Sequence, residues 1–77
     1  MVIEISATTR DYDGGVKARL YSRFGIPELW VIDPYERITW VHTGPNDGKW
    51  SSIAERGPKD ALTTPALPGF SIRLGEI

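Results

Sequence analysis

The sequence predicts a mixed α/β domain: a strand, a helix and a second strand, followed by a run of short antiparallel strands. Three features carry that reading. Val2 to Ile5 alternates around a carboxylate, Val16, Leu20 and Phe24 recur at helical spacing, and Leu29 to Ile32 is a continuous apolar run. A strand–helix–strand opening favours a parallel pair joined by a crossover.

In the first strand, Ile3 and Ile5 share one face while Val2 and Glu4 share the other, because strand side chains alternate. Ser6 to Asp11 is polar and reads as a connection. Asp13 is the candidate N-cap, its carboxylate able to accept from open first-turn amides. Val16, Leu20 and Phe24, with Tyr21 beside them, form the face expected to pack on the sheet. Gly25 is placed to close the helix, and Pro27 prevents its resumption.

Leu29 to Ile32 suits a strand covered on both faces. Asp33-Pro34-Tyr35-Glu36 reads as a turn, Arg37 to His42 as the next strand, and Thr43 to Gly48 as a second turn. Lys49 to Ala54 is a further strand and Arg56 to Asp60 a loop. Ala61 to Thr64 is a candidate short strand, Pro65 to Gly69 a punctuated link, and Phe70, Ile72 and Leu74 alternate as a last strand.

The 77 residues, 1–77, make one small domain. A core of that size supplies only about 3–5 kcal/mol. No cysteine is present to add a disulfide or a thiolate zinc site, and His42 is the sole histidine. Pairing with another chain, as a homo-oligomer, would add stability. The formal net charge of −1 lacks the basic excess of most nucleic-acid binders. No apolar stretch reaches membrane-spanning length and no leader is visible, so a soluble, cytoplasmic protein without a membrane role is expected.

The segment I-E-I-S-x-T-T-x-x-Y-D-x-x-V-K-x-x-L-Y-x-x-x-G-I-P-E-x-W-V-I-D, Ile3 to Asp33, resembles the Uma2 (DUF820) family. These are restriction-endonuclease-like proteins of the PD-(D/E)XK superfamily. Pro65-Ala66-Leu67-Pro68-Gly69-Phe70 resembles the family's closing Leu-Pro-Gly segment. The resemblance spans nearly the whole chain but only the C-terminal part of a full-length member. It implies a truncated Uma2-like domain with a restriction-endonuclease-like core fragment, acting on DNA with Mg²⁺ or Mn²⁺.

By position, Glu4 matches the family's strand glutamate, a metal ligand, and Lys17 matches its helical lysine. Both are therefore the candidate catalytic residues, with Glu4 as the metal ligand. The family's further aspartate lies upstream of that strand and has no counterpart here. Ala7 departs from the acidic residue many members carry. The chemistry suits these residue types: a hard ion bound by carboxylate activates water, and a cation stabilises charge developing on the phosphate.

Each residue also has a plain structural reading. Glu4 fits a solvated edge-strand position, and Lys17 a snorkelling lysine beside an apolar stripe. Tyr21, Trp30 and Trp40 fit the core; Glu28, Asp33 and His42 fit strand-end and turn roles. Lys49, Arg56, Lys59 and Arg73 are scattered over later strands and loops. They read as solvated surface, with phosphate contact as the alternative. Two functions remain open: a nuclease-like domain impaired by its missing aspartate, and a non-catalytic module that pairs through its sheet edge into a homodimer.

Overall fold

The computed structural model describes residues 1–6 and 15–76. Strand β1 (Val2–Ile5) leads to helix α1 (Gly15–Arg23), then β2 (Glu28–Asp33), β3 (Ile38–Asn46) and β4 (Lys49–Arg56). They form one four-stranded sheet in the order β1-β2-β3-β4. The β1–β2 pair is parallel, as the strand–helix–strand opening predicts, and the two following pairs are antiparallel. The fold class is therefore the expected mixed α/β. The candidate cap Asp13 and most of the Ser6–Asp11 connection lie outside the described residues.

The core is formed where α1 meets the sheet. Val2 pairs with Leu29 and Glu4 with Val31, so these four side chains share one face. Ala18 of α1 joins Leu29 and Val31 in the buried cluster, flanked by Val2, Tyr21 and Trp50. The opposite face is covered by the chain after β4. The ring centroids of Trp30 and Phe70 lie 6.3 Å apart, and the Thr64 hydroxyl donates to buried Glu28. Burial on both sides accounts for the continuous apolar run in β2.

The expected orientation of α1 is overturned. Val16, Leu20 and Phe24 are 73%, 47% and 74% exposed, while Ala18 and Ser22 are buried. The reason is polar and steric. Small residues bring the helix backbone close enough for Trp50 Nε1 to donate to the Ala18 carbonyl at 2.9 Å. The Ser22 hydroxyl donates to the Lys49 carbonyl and accepts from the amides of Asn46 and Gly48, each at 3.1 Å. The large apolar residues, half a turn away, then point outward.

The helix ends as expected. The Ile26 amide bonds the Tyr21 carbonyl (3.1 Å) and the Gly25 amide that of Ser22 (3.0 Å), the paired bonds of a Schellman motif with Gly25 at φ +73°.

Strand lengths differ most at β3, which continues through Gly44 and Pro45 to Asn46 instead of ending at His42. The turn shrinks to Asp47-Gly48, both at positive φ (47° and 93°), as a type I′ hairpin turn requires. Gly44, at φ +68°, breaks the alternation. Ile53 pairs with His42, yet Trp50, three residues earlier, also reaches His42 in an edge contact at 5.5 Å. A Cβ at Gly44 would fall 2.7 Å from Ser51 Cβ. β2 and β4 extend to Glu28–Asp33 and Lys49–Arg56.

The two late strands are replaced by a single antiparallel bridge between Leu62 and Ile72, and Leu74 belongs to a short 3₁₀ turn, Leu74–Glu76. Prolines at 65 and 68 interrupt the pairing needed for a longer ladder.

Candidate active site

Glu4 stands on β1 with its side chain toward α1, because its register partner Val31 is in the helix-facing core. Lys17 and Tyr21 lie one helical turn apart, so both lean over the same strand. The Tyr21 hydroxyl donates to Glu4 Oε1 at 2.5 Å, and Lys17 Nζ lies 3.8 Å from Glu4 Oε2. The structure thus brings together the two residues singled out from the sequence and adds a third. Tyr21, which fits the core by its position in the sequence, touches the core and also holds the carboxylate. Its spacing of four from Lys17 was the signal available in the sequence.

Electrostatics at the cluster are graded by exposure. The Lys17 side chain is 76% exposed and that of Glu4 28%. Such a solvated pair contributes little to stability, so Lys17 can leave Glu4 at small cost for another anion. The phenol of Tyr21 is pushed above its ordinary 10.0, first by its hydrogen bond to Glu4, then by burial and by the carboxylate's charge. It stays protonated and donating through the neutral range.

A carboxylate oxygen is the donor type a hard divalent ion takes, so Glu4 fits one ligand position in chemistry. Among the described residues, no group of three or more His, Cys, Asp and Glu side chains is placed to hold a metal.

The remaining polar candidates are structural. Asp33 Oδ1 accepts from the amides of Tyr35 (2.9 Å) and Glu36 (3.1 Å), capping the turn as expected. Glu28 is a buried strand-end residue bonded by Thr64. His42, expected near a strand end, is instead fully buried within β3. Its Nδ1 lies 3.1 Å from the Leu29 carbonyl and 3.0 Å from that of Trp40, so that nitrogen carries the hydrogen. Burial pushes its pKa down, against a smaller upward pull from those carbonyls.

No helix among the described residues is long and apolar enough to cross a membrane. No curated protein and no solved structure matches the chain significantly. A family model does: that of Uma2, described as "Putative restriction endonuclease", matches residues 1–75. Spanning nearly the whole chain, and including Glu4, Lys17 and Tyr21, that match means the chain belongs to the Uma2 family.

Proposed function

We propose that this chain is a metal-dependent, endonuclease-like domain acting on DNA phosphodiesters, with Glu4 as metal ligand and Lys17 as the catalytic cation. The observation that carries it is the convergence of Glu4, Lys17 and Tyr21 in a member of a restriction-endonuclease family. When bound, Mg²⁺ or Mn²⁺ would polarise the phosphoryl oxygen and lower the pKa of a water. Tyr21 holds one oxygen of Glu4 and so fixes the carboxylate's orientation. Lys17, exposed and loosely paired, moves onto a non-bridging phosphate oxygen and offsets the charge that develops there. Activity in the chain alone is impaired, because one carboxylate is the smallest set used to hold Mg²⁺. A further acidic ligand, from another segment or a partner, completes the site, and the setting is the cytoplasm. The chain corresponds, in this reading, to the C-terminal part of a member.

Nicking of supercoiled plasmid with Mn²⁺ tests the proposal. Wild type should nick slowly, and Glu4→Gln and Lys17→Met should each lose about 10²–10³ of that rate. Equal nicking by wild type and Glu4→Gln overturns the assignment.

A second reading, a non-catalytic module that forms a homodimer through its sheet edge, is favoured by one observation. β1 is an edge strand whose Ile3 and Ile5 are 51% and 63% exposed. Such an edge is a template for strand pairing. Light scattering checks it: a dimer that Ile3→Lys converts to monomer supports the pairing, and a wild-type monomer at high concentration rejects it.

A further inference from the structure

A second cluster of charge lies at the sheet end where β1 and β2 finish, β3 begins and β4 ends. A cavity of about 500 Å³ opens there, lined by Arg37, Pro58, Lys59, Arg73, Gly75 and Glu76. Three cations and one carboxylate give the lining an excess of positive charge, in a chain whose net charge is −1. The carboxylate does not close it. Glu76 lies 3.7 Å from Arg73 in a solvent-exposed pair, which an incoming anion can displace at little cost.

The walls are held by backbone. The Gly75 amide donates to the Pro58 carbonyl at 2.9 Å, and a Cβ at Gly75 would come 2.9 Å from that oxygen. Asp60 Oδ2 accepts from the Gly57 amide at 2.7 Å, and the Asp60 amide donates to the Gly57 carbonyl at 3.1 Å. Pro58 and Lys59 are therefore presented on a closed turn. Arg37 supplies an independent observation. It occupies the left-handed region at φ 55°, where any Cβ is disfavoured and Gly or Asn is the usual solution. A strained arginine that lines the cavity points to a use for its side chain.

We propose that Arg37, Lys59 and Arg73 form a phosphate-binding site, which takes a backbone phosphate of a nucleic-acid strand. The anion chemistry stands on the cavity; the assignment to a strand rests on the nuclease function proposed above. Glu4 points toward α1, whereas Lys59 and Arg73 belong to the chain after β4, which covers the opposite face of the sheet, so the cavity is a contact separate from the proposed cleavage site.

Fluorescence anisotropy with a labelled single strand of about 12 nucleotides tests this. The full chain is used in EDTA, so that no metal-dependent step contributes, with inorganic pyrophosphate as competitor. The double variant Lys59→Gln/Arg73→Gln should bind about tenfold more weakly. Arg37→Gly should lower the slope of log K against log salt by about one. Because φ 55° suits glycine, Arg37→Gly should melt no lower than wild type, so its weaker binding cannot come from unfolding. Strand binding unchanged in these variants, or wild type that binds neither the strand nor, by calorimetry, pyrophosphate, overturns the site. Calorimetric pyrophosphate binding without strand binding overturns the strand assignment and leaves a site for free phosphate. Strand binding as expected, with no Mn²⁺-dependent nicking, sinks the nuclease reading and leaves this site standing.

Discussion

The Tyr21 hydroxyl donates to Glu4 Oε1 at 2.5 Å, tying the helix to the carboxylate that the proposed chemistry uses. This bond has a pH signature. The phenol is held above 10.0, chiefly because deprotonation would break the bond. A group raised in the folded state stabilises below its unfolded pKa, and that contribution is lost as pH rises through the raised value. Absorbance titration of wild type minus Tyr21→Phe should show a tyrosine ionising above pH 10. A difference curve centred at or below that pH would remove the bond.

His42 sets the acid limit. Its pKa is lowered below 6.5 by burial, so the unfolded chain binds the proton more readily than the folded one. The contribution is complete above pH 6.5 and is lost as pH falls through the lowered value. Urea midpoints should decline between pH 7 and pH 5, and His42→Gln should flatten that decline. An undiminished slope in the variant would assign the effect to other groups.

Ser22 is the helix's anchor on the hairpin, with one hydroxyl serving three backbone groups at residues 46, 48 and 49. Ser22→Ala leaves them without that partner and should cost about 1–3 kcal/mol in urea unfolding. A loss within error would mean that the turn holds itself.

Thr39 gives the opposite case. It is fully buried, and its hydroxyl has no hydrogen-bond partner among the described residues. Thr39→Val keeps the shape and removes the unpaired group, so the domain should gain about 1 kcal/mol. A destabilised Val variant would reveal a partner for the hydroxyl.

The orientation of α1 can be tested directly. Leu20→Gln and Phe24→Gln alter exposed side chains and should change stability by no more than about 0.5 kcal/mol. Had these residues been core, each substitution would cost several times that.

Much of the fold was legible from local signals: the alternation around Glu4, the glycine stop at Gly25, the apolar run of β2 and the Asp33 turn. These depend on neighbours in sequence, through strand alternation and backbone conformations that only certain residues adopt. The late strands failed for a related reason. Phe70, Ile72 and Leu74 alternate, but only Ile72 finds a ladder partner, in Leu62.

By itself the sequence determined the element types as far as β4 and the parallel opening pair, and its resemblance to a family singled out Glu4 and Lys17. Tertiary structure alone decided which face of the helix is buried. Helical periodicity names a stripe but not what it faces, and here close backbone approach through Ala18 and Ser22 outweighed burial of Val16, Leu20 and Phe24. That same rotation sets Tyr21 on Glu4. The cavity of Arg37, Lys59 and Arg73 was equally hidden, because it joins three loops that meet only when β2, β3 and β4 are in register.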